Sequence, residues 1–221
     1  MNDHSLVTRW WLVRHAPVAG LPAGALVGQK DVSADVSDPA RFAALAQRLP
    51  NSPRWVVTGL KRTRQTLDAL IAAKPERDAE RIEVDLENAF LEQNFGAWTG
   101  LTWDEIGALP GTRVEDFWAA PATTRPPPGG DFHGESFRDV CLRVGSRMDQ
   151  LNIAWAGRDI VCVAHAGSIR AALAHGLGLT PDQALAVVVD NTALARLDYL
   201  SHPSTAPGSG SWRVVGLNMI W

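Results

Sequence analysis

The 221-residue sequence has no apolar run long enough for a membrane helix, which needs about 18–20 consecutive apolar residues. The four apolar residues Trp10 to Val13 are also too few for the core of a signal peptide. Basic excess is missing: with 21 Lys and Arg against 24 Asp and Glu the net charge is −3, so nothing in the overall charge points to nucleic acid or an anionic membrane. Cysteine is scarce. Cys141 and Cys162 are the only two, each inside an apolar periodic segment, which reads as a pair of buried free thiols rather than a disulfide framework. No internal repeat is present, and the only biased stretch of note is the Pro/Gly/Ser-rich segment 202–211, read as a mobile surface loop. With hydrophobic residues at 46% and charged residues at 20%, what remains is an ordinary globular chain, expected in the cytoplasm.

Three short apolar runs, Trp10 to Val13, Trp55 to Thr58 and Ile160 to Ala164, read as buried parallel strands, because both faces of such a strand are covered. A helical pattern follows each. Ser37-Asp38-Pro39 opens a helix that runs through Phe42, Leu45 and Leu49 to Pro50. Thr66 to Ala73 carries Leu67, Leu70 and Ile71 on one face, with Pro75 as its stop. Ile169, Leu173 and Leu177 mark a third helix, closed by Gly178. Alternating strands and helices predict a three-layer α/β/α fold with a mostly parallel central sheet.

Residues 87–134 break this rhythm. They hold a capping box at Thr102-Trp103-Asp104-Glu105 and the Pro-rich stretch Arg125 to Gly130, and they predict a small helical and loop insertion lying over the C-terminal strand ends like a cap. A long amphipathic helix comes next, with Phe137, Val140, Cys141, Val144, Met148 and Leu151 as its stripe. A second capping box, Thr180 to Gln183, and two late strands, Thr192 to Tyr199 and Trp212 to Ile220, complete a chain expected to form one domain over 1–221.

The three proposed strands end at Arg14-His15, at Thr58-Gly59-Leu60-Lys61-Arg62 and at His165-Ala166-Gly167. In open parallel sheets ligands bind beyond the carboxyl ends of the strands, where helix N-termini add partial positive charge. If these ends are neighbours, two histidines and at least one arginine converge on what is most simply a phosphate site. Each element alone has an ordinary reading: polar residues at a strand end, a solvated first helical turn, a satisfied core histidine. Their conjunction is much harder to dismiss.

The motifs resemble those of the histidine phosphatase superfamily, the phosphoglycerate-mutase-like fold. Arg14-His15-Ala16 is similar to its first Arg-His-Gly motif, and Gly59 to Thr66 to its Ser-x-Leu-x-Arg-x-x-Gln-Thr motif. Glu92 to Gly100 resembles Glu-x-x-Phe-Gly-x-Trp-x-Gly, Gly134-Glu135-Ser136 matches Gly-Glu-Ser, and His165-Ala166-Gly167 resembles His-Gly-Gly. All five occur in the family's order. Within the family, the length and the stretch Gly28-Gln29-Lys30-Asp31 look most like the α-ribazole phosphatase-type bacterial phosphatases.

The resemblance implies that His15 is a nucleophile that becomes phosphohistidine. It implies that Arg14, Arg62 and His165 hold the phosphoryl oxygens, His165 as a protonated imidazole, and that Glu92 gives a proton to the leaving oxygen. Arg62 is preferred over Arg64 as the motif arginine. Gln29 and Arg125 are further candidates for substrate contact, and Arg170 is read as structural though within reach of the pocket. Ala16 and Ala166 stand where the family has glycine, and would be strained if those positions required φ > 0.

No cofactor is implied and no metal: Asp131, His133 and Glu135 alternate in a loop, but without a second ligand cluster. The expected activity is metal-independent hydrolysis of a small phosphorylated metabolite. Mutase-type transfer is the alternative enzyme, and a low-turnover phosphate-binding regulatory module is the alternative of another class. No nucleic-acid or membrane partner is expected; a homodimer is compatible with the sequence.

Overall fold

The computed structural model describes residues 6–74, 82–201 and 210–221. Pro75 and most of the 202–211 segment lie outside the described residues. Six strands form one sheet: β1 (Leu6–Arg14), β2 (Arg54–Val57), β3 (Val84–Leu86), β4 (Asp159–Ala164), β5 (Leu194–Ser201) and β6 (Ser211–Met219). Their order is β3-β2-β4-β1-β5-β6. The first four are mutually parallel, and β5 and β6 are antiparallel additions at one side.

Alternation along the central strands divides the core into two layers. Trp10, Leu12, Val56, Ile160 and Cys162 face α5 (Phe137–Ala154) and α6 (Ala166–Leu177). Val13, Trp55, Val57, Val161 and Val163 face α1 (Pro39–Arg48) and α2 (Lys61–Ala72). Both faces are covered, which is why these strands read as unbroken apolar runs. The indole N–H of Trp10, buried in the first layer, donates to Asn152 Oδ1 of α5 at 2.9 Å. Cys162 is buried and Cys141 only half-buried; both are free, and burial pushes the Cys141 thiol up to about 11.

Local signals place the helix ends. The Asp38 side chain accepts from Arg41 N, with Pro39 at the first turn of α1. Ser136 and Asp139 form a capping box on α5, and Gly178 closes α6 in the left-handed region at φ 65°. Between the sheet units, residues 87–134 contain two single 3₁₀ turns, α3 (Trp103–Gly107) and α4 (Val114–Ala119). Trp98, Ile106 and Phe117 form a small separate core there. A last short helix, α7 (Pro181–Leu185), carries the Thr180/Gln183 capping box.

Two expectations need correction. The second helix begins at Lys61, five residues before the apolar pattern starts. Its first two turns bury Arg62, Thr63 and Thr66, polar groups that no hydrophobic period detects. The first late strand begins at Leu194 because Thr192 sits at φ 60°, outside strand geometry. Strand β3 and helix α4 have no counterpart in the sequence reading: β3 is three residues at a sheet edge, too short to show a period.

Candidate active site

Register brings the three strand ends together. Val13 of β1 and Val57 of β2 both pair with Val163 of β4, so the residues after these valines emerge on one line. β4 lies between the other two strands, which puts His165 between Thr58 and His15. The two imidazole rings meet edge to face, with centroids 5.1 Å apart.

His15 Nδ1 lies 2.7 Å from the carbonyl oxygen of Ala16. A carbonyl only accepts, so Nδ1 carries the hydrogen and Nε2 keeps its lone pair. The surrounding backbone is pinned: Ala16 N donates to Thr66 Oγ1 at 2.9 Å, and Asn191 Nδ2 donates to His15 O at 2.8 Å. Burial first, then the charges of Arg62 and Arg14, push the His15 pKa down to about 3.

His165 is fully buried behind it. Arg62 Nε donates to His165 Nδ1 at 3.2 Å, so that nitrogen is unprotonated. Its Nε2 lies 3.1 Å from Thr58 Oγ1. Burial, Arg62 and His15 all push its pKa well below the usual imidazole value. The second histidine is therefore neutral in this arrangement, a correction to the expectation of an imidazolium.

Arg62 is itself completely buried. Its terminal nitrogens donate to the carbonyls of Lys30 and Gly28, at 2.8 and 2.6 Å. Burial lowers its pKa to about 10, so it remains a cation at neutral pH. Arg64, two residues on and on the opposite side of the helix, is exposed. Arg14 donates to Val189 O at 2.6 Å, and its buried Nε has no hydrogen-bond partner among the described residues.

Glu92 comes from the loop before the second 3₁₀ turn. Its carboxylate accepts from Gln93 N at 2.9 Å and from Gly167 N at 3.1 and 3.3 Å. A Cβ on Gly167 would collide with that carboxylate and push it off these hydrogen bonds, so the glycine lets Glu92 sit close against the start of α6. Arg143 braces the loop, donating to Glu92 O and Ala89 O while paired with Glu135. Gln29 also serves this loop: Nε2 donates to Glu92 O at 2.9 Å, and Oε1 accepts from Asn94 at 3.3 Å. Arg125 stands apart, with its guanidinium on Gly134 O and Asp139. Gly96 and Gly134, from two motifs, both have positive φ and both lie against the carbonyls of Pro126 and Pro127, which explains why each motif keeps its glycine. Ala16 and Ala166 have no positive φ, so their methyl groups carry no backbone strain.

A cavity of about 230 Å³ opens on this group, with Arg14, His15, Arg62, Glu92, Arg170 and Asn191 in its wall. No motif or spacing points to Asn191, whose place depends on the turn before β5. Three guanidiniums face one carboxylate and a neutral imidazole, a balance suited to a dianion.

The model of the histidine phosphatase superfamily (branch 1) matches residues 10–206. The chain belongs to that superfamily. A metal-independent phosphoserine phosphatase from Arabidopsis thaliana is 32% identical over 171 residues, 76% of this chain and 68% of the relative. A bifunctional protein of Mycobacterium tuberculosis is 28% identical over 134 residues, 61% of this chain, but that match spans only 34% of the relative's length. Among solved structures, a mycobacterial glucosyl-3-phosphoglycerate phosphatase superposes with a TM-score of 0.77 at 26% identity, covering 96% of this chain and 99% of that one. The α-ribazole phosphatase of Shigella flexneri shares the fold, with a TM-score of 0.74 at 17% identity, over 96% of each chain.

Neutral, buried histidines give this histidine phosphatase a pH-dependent stability. Below pH 6.5 the unfolded chain protonates both imidazoles while the folded chain does not, so stability is lost as pH falls from 6.5 toward the depressed folded values. The loss should be about 1.4 kcal/mol per pH unit for each histidine. Urea unfolding of the parent and of His15→Gln at pH 7, 6 and 5 should show the parent falling more steeply, by about one proton's worth. A parent-to-variant difference that stays flat over this range contradicts a neutral His15.

Proposed function

We propose that the chain hydrolyses a small phosphomonoester through a phosphohistidine at His15. One observation carries this reading: Ala16 O fixes His15 Nδ1 as the protonated nitrogen, leaving Nε2 as a neutral nucleophile beside a cavity rich in guanidinium groups. Nε2 attacks phosphorus, the P–O bond to the alcohol breaks, and the alcohol oxygen takes a proton from Glu92, which enters this step as the carboxylic acid. Water then attacks the phosphohistidine and gives its proton back to Glu92, releasing inorganic phosphate and restoring His15.

Phosphoryl transfer asks chiefly for in-line positioning and for charge on the equatorial oxygens. Arg14 and Arg62 supply that charge. His165 orients the Arg62 guanidinium, and its Nε2–H, which donates to Thr58 Oγ1, can turn to a phosphoryl oxygen. Residues 87–134 act as the cap of a single catalytic domain, and the substrate is a small metabolite. Two free thiols support a reducing, cytoplasmic setting. Among the described residues no helix is long and apolar enough to cross a membrane.

Hydrolysis is favoured over mutase transfer by the placement of the two arginines of the cap region, Arg113 and Arg125. A mutase needs basic residues to hold the rest of a carboxylate substrate, yet Arg113 pairs with Asp116 and Arg125 with Asp139, both on the exterior. Phosphate release from p-nitrophenyl phosphate separates an enzyme from a silent phosphate-binding module. The same activity should survive dialysis against EDTA, because guanidinium groups supply the charge that a metal would otherwise provide. Activity lost to EDTA and restored by a divalent ion contradicts this mechanism.

A further inference from the structure

The phosphate-facing cavity shares Leu26, Glu92, Phe95 and Arg170 with a second compartment of about 290 Å³. Beyond that common wall, the lining is supplied largely by the cap: Trp103 of α3, Phe117 and Trp118 of α4 and Pro121, with Phe137 at the start of α5. The rings form one cluster. Trp118 lies 4.9 Å from Trp103 and 5.2 Å from Phe117, centroid to centroid. Phe117 is buried, whereas Trp118 is 58% exposed, an indole face left partly bare beside the site.

The charges of this compartment stand only at its shared wall. Arg170 also lines the phosphate-facing cavity, as one of its three guanidiniums, and Glu92 is the acid of the proposed reaction, so neither is a charge set aside for an anionic leaving group. Glu92 is also occupied: Gln93 and Gly167 N–H groups hold its carboxylate, and in the proposed reaction its proton goes to the leaving oxygen. It is thus a poor partner for the ammonium of an amino-acid substrate. Arg170 Nε is committed to Val187 O at 2.7 Å. What the compartment offers a leaving group is flat apolar surface.

We infer that this second compartment is the leaving-group subsite and that it selects a phosphomonoester whose alcohol carries an uncharged aromatic or comparably flat apolar group. The inference rests on the hydrolase reading given above. Aromatic faces hold a planar group by stacking and by exclusion of water, and the size of the compartment suits a single ring system.

The test uses substrates that all leave as primary alkoxides, so their intrinsic reactivity is similar: ethyl phosphate, 2-phenylethyl phosphate, phosphoserine and 3-phosphoglycerate. The kcat/KM for 2-phenylethyl phosphate should exceed that for ethyl phosphate by about 10-fold or more, the scale of stacking on an aromatic side chain. Phosphoserine and 3-phosphoglycerate should fall at or below ethyl phosphate. Trp118→Ala should lower the 2-phenylethyl to ethyl ratio by about 5-fold or more. Since Trp118 is largely exposed, the variant should fold, and the ratio corrects for any general loss. Preference for phosphoserine or 3-phosphoglycerate, or an unchanged ratio in Trp118→Ala, overturns the assignment. Binding of 2-phenylethylphosphonate and ethylphosphonate, followed by tryptophan fluorescence, separates the two readings. Tighter binding of the aromatic phosphonate with no turnover of any ester leaves the subsite standing and removes the hydrolase. Turnover with equal phosphonate affinities does the reverse.

Discussion

His15→Ala is expected to abolish turnover of every phosphomonoester while leaving the protein folded. In the proposed mechanism the side chain supplies the nucleophile, and removal of a nucleophile typically lowers kcat by about 10⁴–10⁶-fold. What remains, two arginines and Glu92, can bind phosphate but has nothing to attack it with. Folding should survive because His15 contributes little to the core clusters, and the side chains of Thr66 and Asn191 hold the local backbone at Ala16 N and His15 O. Inorganic phosphate should still bind, since Arg14 and Arg62 are intact. Turnover within 10-fold of the parent's, on the scale just given for nucleophile loss, would show that another group attacks phosphorus.

Glu92→Gln is expected to separate substrates by the help their leaving oxygens need. An alkyl phosphate must expel a strongly basic alkoxide, whereas p-nitrophenolate leaves without a proton. General acid catalysis contributes about 10²–10⁴-fold, so phosphoenzyme formation from an alkyl phosphate should slow by roughly that factor, and from p-nitrophenyl phosphate much less. Glutamine retains an oxygen for the Gly167 N–H, so the local geometry is kept. Single-turnover phosphorylation must be followed, because in the proposed mechanism Glu92 also serves the later hydrolysis and would mask the difference at steady state. Equal slowing of both substrates would reduce Glu92 to a support for the pocket's shape.

The parts of this site that were legible in the sequence are those that hang from buried strands. Trp10 to Val13, Trp55 to Val57 and Ile160 to Ala164 are unbroken apolar runs, and a parallel sheet delivers the residues after them to one edge whatever the loops do. Arg14, His15, Arg62 and His165 follow from that geometry, and Glu92 from the Phe-Gly-x-Trp pattern behind it. Less visible was whatever depends on side-chain pairing across loops. Nothing in the spacing of Gln29 tells that its amide bridges Glu92 O and Asn94, or in that of Arg125 that it braces Gly134 and Asp139.

The start of α2 was hidden for a related reason: its first turn faces the site, so its buried positions are polar. Charge state was hidden as well. A histidine bonded through one nitrogen to arginine and buried on every side is neutral, and neither the bond nor the burial is written in the motif.

The central claim is that phosphorus is bound covalently, for a time, to His15. Rapid-quench mapping by mass spectrometry under alkaline conditions, which preserve phosphohistidine, tests it directly. Mixing the enzyme with p-nitrophenyl phosphate and quenching within the first turnover should give an acid-labile phosphoryl adduct on the peptide that carries His15, and none in His15→Ala. An adduct on the peptide carrying His165 instead would contradict the assignment of the nucleophile, and turnover with no adduct on either histidine would contradict the covalent mechanism.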